Sequence, residues 1–276
     1  MKRLALLALL LITNALPAAE KDTMLYEIRT YWPAEGKMDA LHARFKDHTI
    51  KLFEKHGMMN ICYWVPLDET DKRLIYVLAH KDKAAAAASW KAFAADPDWK
   101  SAQKASEVNG KLVTKAQSIY LNKTDFSPTA HGDSSAPHIF ELRTYVTTPK
   151  NLDAIQSRFR DHTVKLFEKQ GMTNVAYCTI ADTDKVTNGK MLAALTAVGD
   201  EKCECKMDDE AKSTALIYVL SHKSKDAAKA SFDAFRADPV WIAAKAESEK
   251  KAGGSLTVKD GVKSLFLKTT DYSPNK

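Results

Sequence analysis

Between Leu25 and Tyr31 the side chains alternate: Tyr26 and Ile28 fall on one face, Glu27, Arg29 and Tyr31 on the other. That is the period of a strand. The period then lengthens. Within Glu35–His56, Leu41, Phe45, His48 and Leu52 recur at helical spacing on one stripe, and Gly57 is suited to end the helix. Met59–Val65 and Leu74–His80 return to strand character, joined by the polar PLDETDK. Asp82–Ala95 is Ala-rich and helical. Asp96-Pro97 offers an N-cap followed by proline in the first helical position, which predicts a second, short helix carrying Trp99. Leu112–Asn122 closes the series as a strand. The order is β-α-β-β-α-β, the split βαβ or ferredoxin-like arrangement.

The whole pattern then recurs. From Glu27–Met58 to Glu141–Met172, 18 of 32 positions are identical at a constant offset of 114, far too many for a shared fold alone. LIYVLAHK (Leu74–Lys81) returns as LIYVLSHK (Leu216–Lys223), AFAADPDW as AFRADPVW, and SIYLNKTDFSP as SLFLKTTDYSP. Two units of this size suit two small domains better than a solenoid. The expected division is a first domain at 20–128, a linker at 129–137 of small and polar residues with Gly132, two serines and Pro137, and a second domain at 138–276 with an insertion at 182–213. One such unit leaves a bare sheet face, and its duplicate can cover it. The fold class is therefore α+β: two ferredoxin-like (βαββαβ) units fused as a two-fold pseudo-dimer, for which the family resemblance given below implies an α/β barrel.

The first 19 residues read as a secretory signal peptide: Lys2 and Arg3, then an apolar run from Leu4 to Ile12, too short to span a bilayer, then Pro17-Ala18-Ala19. The expected location is periplasmic or secreted, with no membrane span after cleavage. Loss of Lys2 and Arg3 lowers the formal net charge from +6 to +4. The remaining lysines are interleaved with acids, so no nucleic-acid partner is expected. Four cysteines, Cys62, Cys178, Cys203 and Cys205, are too few for a disulfide scaffold.

The segments YEIRTY, RFKDHTIKLFEKHGM, LIYVLAHK, SWKAF and TDFSP, agreeing in order and written twice, resemble the NIPSNAP family. The resemblance implies a dimeric α/β-barrel fold, shared with antibiotic-biosynthesis and haem-degrading monooxygenases, chlorite dismutases and muconolactone isomerases. It implies no settled chemistry, and fold membership does not license one. The second copy departs: YWVP becomes YCTI, SW becomes SF, and KLVTK is interrupted. A pocket using Trp64 or Trp90 would keep them only in the first copy.

Candidate chemistry follows from strand adjacency. The first and third strands of such a sheet are central and antiparallel, which places Glu27 and Arg29 near His80, and Glu141 and Arg143 near His222. An Arg, a carboxylate and a His could bind an anion or serve as acid and base. The plainer reading is a charge cluster at the barrel end. His48 and His162 lie on the helix's apolar stripe, facing the sheet, as a cofactor ligand, a general base or a buried structural histidine. His48, His80 and Glu27 could form a two-His, one-carboxylate metal site only across an awkward distance. Trp64, Trp90, Trp99 and Trp241 would line an aromatic-ligand pocket or pack the core. Cys62 and Cys178 read as buried thiols, and Cys203 with Cys205 as a weak soft-metal pair. Met191–Val198 reads as a short helix docking on the barrel.

The reading that results is a binding protein for a small apolar or aromatic ligand, or for a partner protein, with the pseudo-dimer free to assemble further. The alternative is a cofactor-poor oxidoreductase, monooxygenase or isomerase, or a haem-binding protein. In that alternative the pocket would lie between helices and sheet, lined by His48, His80, Glu27 and Arg29.

Overall fold

A computed structural model describes residues 22–128, 138–181, 195 and 214–275. The signal-peptide segment, the linker, Cys203, Cys205 and all of the insertion except Leu195 lie outside the described residues.

The first half comprises β1 (Leu25–Pro33), α1 (Met38–Arg44), a π-helical turn π1 (Phe45–Thr49), α2 (Ile50–Lys55), β2 (Met59–Pro66), β3 (Leu74–His80), α3 (Lys83–Ala95), α4 (Pro97–Ser106) and β4 (Val113–Lys123). The second half repeats them as β5 (Ile139–Thr147), α5 (Leu152–Arg158), π2 (Phe159–Thr163), α6 (Val164–Lys169), β6 (Thr173–Ile180), β7 (Ala215–His222), α7 (Lys225–Ala237), α8 (Pro239–Ala252) and β8 (Thr257–Thr269). The Asp96 side chain caps α4 by accepting from the Asp98 N–H at 2.7 Å, with Pro97 behind it as anticipated. Gly57, at φ +75°, ends α2 in the left-handed region, and Met58 N–H then reaches back to the Phe53 carbonyl at 2.9 Å.

The long first helix is not continuous, and this corrects the stripe read from the sequence. In π1 the Thr49 hydroxyl donates to the Arg44 carbonyl at 3.0 Å, and the Ile50 N–H reaches the Phe45 carbonyl, each five residues back. A turn with one extra residue moves the inward position from His48 to Thr49. Thr49 is buried and His48 is exposed. The second copy repeats the device, with Thr163 donating to the Arg158 carbonyl at 3.2 Å.

All eight strands close into one barrel in the order β1-β3-β2-β8-β5-β7-β6-β4. Closure therefore joins edge strand to edge strand, removing the unpaired edges each half would expose alone. One seam pairs Trp64, Val65 and Pro66 of β2 with Thr269, Lys268 and Leu267 of β8. The other pairs Leu121, Asn122 and Lys123 of β4 with Ile180, Thr179 and Cys178 of β6. Each seam is short, and the duplicated TDFSP and TDYSP segments extend both. Ser273 Oγ accepts the Tyr63 N–H at 3.0 Å, and Ser127 Oγ accepts the Tyr177 N–H at 3.0 Å. Each half thus ends by clasping the second strand of the other. Helices cover the outside of the sheet, and aromatic side chains fill that layer: Phe45, Phe53, Tyr63 and Tyr76 in the first half, and Phe159, Phe167, Tyr177 and Tyr218 in the second.

Where β8 crosses β5 the register shifts between Tyr145 and Thr147. A Cβ on Gly261 would lie 2.6 Å from Val258 Cγ2 and 3.0 Å from the carbonyl oxygens of Val146 and Val258. The valine methyl can rotate, but the two carbonyls belong to the barrel wall. Gly261→Ala is expected to cost about 1–3 kcal/mol, measured by urea unfolding of the full chain.

Candidate ligand cavity

The period of two along each strand sends alternate residues into the barrel. On β1 these are Tyr26 and Ile28; on β2, Cys62 and Trp64; on β7, Ile217 and Val219. They do not fill the space. A cavity of about 300 Å³ remains, bounded by Tyr26, Trp64, Lys123, Phe140, Cys178 and Val219 among others, with both copies contributing to its wall. That is the small end of the range for ligand sites. Burial pushes the Cys178 thiol up to about 12 and the Cys62 thiol in the same direction, so both are protonated wall groups rather than nucleophiles. They carry no disulfide, in line with the buried-thiol reading.

Trp64 is 4% exposed, and its indole N–H is buried with no hydrogen-bond partner. A satisfied core would not leave a tryptophan so. The copies differ here: at the repeat offset Trp64 corresponds to Cys178, and Cys62 to Ala176. The cavity is asymmetric although the fold is not.

Toward the far end of the barrel the interior is packed. Leu195, from the insertion, is buried in one cluster with Val146 and Ala215, and its carbonyl accepts from Arg73 Nη1 at 3.3 Å. The expected helix around it, Met191–Val198, otherwise lies outside the described residues.

The residues singled out for acid–base work come together, but on the outer face of the sheet. Glu27 pairs with Leu78, and Leu25 with His80, as strand adjacency required. Glu27 is wholly buried and takes four donors: Arg29 Nη1 at 2.5 Å, Ser118 Oγ at 2.6 Å, Trp90 Nε1 at 2.8 Å and His80 Nε2 at 2.9 Å. Burial alone would favour the neutral acid. The bonds from His80, Arg29, Ser118 and Trp90 outweigh it and hold the carboxyl at about 2. An ionised Glu27 accepts from Nε2, and the buried Nδ1 of His80 has no hydrogen-bond partner. Arg29 also donates through Nε to Tyr76 Oη at 3.0 Å and lies 4.1 Å over the Trp90 ring.

In the second copy His222 Nε2 reaches Glu141 at 3.0 Å, Arg143 bonds Glu141, and Phe232 replaces the indole donor. Both networks are closed on themselves beneath the helices. They face away from the cavity and cannot touch a molecule inside it.

Two expectations are corrected. His48 points to solvent, so it neither meets His80 and Glu27 in a metal site nor offers a ligand to haem beneath the helix. The space between the first long helix and the sheet, proposed as a pocket, is packed by Phe45, Phe53, Tyr63 and Tyr76. His162 differs from His48: it is half-buried on the wall of an outer groove beside α8, with Arg158 and Lys251. Among the described residues no three His, Cys, Asp or Glu side chains are grouped for a metal. Of the tryptophans, Trp64 lines the cavity, Trp90 serves Glu27, and Trp99 and Trp241 pack on Phe93 and Phe235 at ring distances of 4.5 and 4.4 Å. Sequence reading does not point to the barrel interior as a candidate site. The available signal was the apolar alternate face of every strand, shared by both copies.

A closed antiparallel α+β barrel made from one duplicated unit, with a ligand-sized apolar interior, defines the class of this protein. Residues 26–128 match the NIPSNAP family. No curated protein matches it. Among solved structures it is similar to an uncharacterized NIPSNAP domain protein from Burkholderia xenovorans, at 23% identity over 38% of this chain and 98% of that one, with a TM-score of 0.34. Nearly the whole chain is similar to a candidate monooxygenase from Fusobacterium nucleatum, at 10% identity over 92% of this chain and 95% of that one, with a TM-score of 0.51. It is similar to the same extent to an anthrone oxidase-like protein, at 12% identity, with the same two coverages and TM-score. At these identities the likeness is one of fold.

Proposed function

We propose that this is an exported binding protein in which two ferredoxin-like units, 20–128 and 138–276, stand in one chain for the two subunits of a dimeric barrel and hold one compact apolar or aromatic molecule between them. The observation that carries the reading is the cavity of about 300 Å³ with apolar walls drawn from both copies. A duplication retained only for stability would be expected to pack that volume, since unfilled apolar space is destabilising. Trp64, half of the asymmetry between the copies, supplies an aromatic face on the wall.

The acid–base sets at Glu27 and Glu141 are structural in this reading, because the sheet separates them from the bound molecule. The test uses two neutral probes, 2-acetonaphthone and n-octanol, titrated into the full mature chain by calorimetry. Saturable binding of one molecule per chain is expected for at least one probe. Val219→Phe, which fills the cavity from β7, is expected to weaken it at least tenfold. No saturable binding of either probe, or equal binding by the filled variant, would overturn the proposal.

A further inference from the structure

The cavity has a direction. Its polar wall groups gather at one end of the barrel: Tyr26 at the start of β1, Lys123 at the end of β4, His138 ahead of β5, Thr173 at the start of β6, Ser221 near the end of β7, and Asn275 beyond β8. Pairing confirms the shared level, since Tyr26 lies opposite Leu121, and Ser221 lies opposite both Phe140 and Thr173. Toward the opposite end the interior is packed, with Val146, Ala215 and Leu195 in one apolar cluster.

Among the described lining residues Lys123 is the one with a permanent charge, and its repeat counterpart is Thr269, so the cavity has a single cationic pole. Its side chain is 15% exposed. The ammonium pairs with Asp22 Oδ2 at 2.9 Å and lies 4.8 Å over the Tyr26 ring, while Tyr26 Oη donates to the same carboxylate oxygen at 2.6 Å. Asp22 precedes β1 and is 30% exposed. A carboxylate from the chain itself thus occupies the place beside Lys123 and Tyr26 that a ligand's acid group would take. Burying a lysine at the rim of an apolar chamber is costly without a partner. An anionic head with an apolar body satisfies both ends of the chamber at once.

Resting on the cavity reading above, we infer that the ligand is an amphipathic monocarboxylate, its apolar body between Trp64 and Val219 and its carboxylate beside Lys123 and the Tyr26 hydroxyl, displacing Asp22. The experiment compares 2-naphthoate with its neutral counterpart 2-acetonaphthone at pH 7 by calorimetry, in the full mature chain and in two variants. Wild type is expected to bind the acid at least tenfold more tightly than the ketone. Lys123→Met is expected to abolish that preference by weakening the acid alone, and retained ketone binding shows that the variant is folded. Asp22→Asn, which removes the competing carboxylate, is expected to tighten the acid severalfold. Ketone binding with no acid preference in wild type, or a preference that survives Lys123→Met, overturns this inference and leaves the cavity reading standing. Binding of neither probe overturns this inference, and the cavity reading with it when n-octanol also fails to bind.

Discussion

Glu27→Ala is expected to lower the unfolding free energy by about 3–5 kcal/mol at pH 7, the usual result of stripping one partner from a buried ionic network. The carboxylate answers Arg29, Ser118, Trp90 and His80 together, and its loss strands a buried guanidinium beneath α3. The effect has a pH signature. Glu27 is held at about 2, against an ordinary 4.5, so its contribution is fully present above pH 4.5 and disappears as the pH falls through about 2. That depression corresponds to about 3 kcal/mol of stabilisation. Urea unfolding at pH 7, 4.5 and 2.5 should therefore show wild type and Glu27→Ala converging as acid is added. A gap that stays constant down to pH 2.5 would refute the ionised network. Trp90→Phe, which copies the second half's arrangement, is expected to cost about 1–2 kcal/mol by removing one of the four donors.

The second large effect concerns the π-helical turn. Phe45 is buried and packs edge-on against Tyr31, Phe53, Tyr63 and Tyr76 at ring distances of 5.3–6.3 Å. Phe45→Ala should cost about 3–5 kcal/mol, as is usual for a large aromatic removed from a core. His48→Ala, three positions on, should change stability by less than about 0.5 kcal/mol, because the extra residue in the turn carries it outward. An uninterrupted α-helix would place His48 on the inner stripe and make both substitutions costly. Chemical denaturation of the two variants side by side decides between the geometries.

Much of the architecture could be read from residue types. Strand alternation at Leu25–Tyr31, the Asp96-Pro97 cap and the 114-residue offset required no tertiary information, since local periodicity and chain duplication are properties of the string itself. The Glu27–His80 neighbourhood followed from them, because antiparallel pairing of the first and third strands leaves little freedom in register. The failures have a common cause. His48 was misplaced because a π-turn depends on a side-chain hydroxyl finding a carbonyl five residues back, which helical spacing does not encode. The histidines, at helical spacing, point to a pocket under the helices. The aromatic side chains that fill that layer, Phe45, Phe53, Tyr63 and Tyr76, looked in the sequence as much like a ligand lining as like a core.

The amino-acid order alone thus determined the elements, their sequence along the chain, and that the unit occurs twice. Only the tertiary structure decided which edges meet and what the enclosed volume holds. The TDFSP and TDYSP segments show why: each is written at the end of its own half, yet its serine bonds the second strand of the other half. Likewise, the facing of Trp64, Lys123 and Cys178 into one chamber is set by closure of β4 on β6 and β2 on β8. Contacts across those seams join residues far apart in the chain, and no local pattern reports whether the space between them is filled or left open.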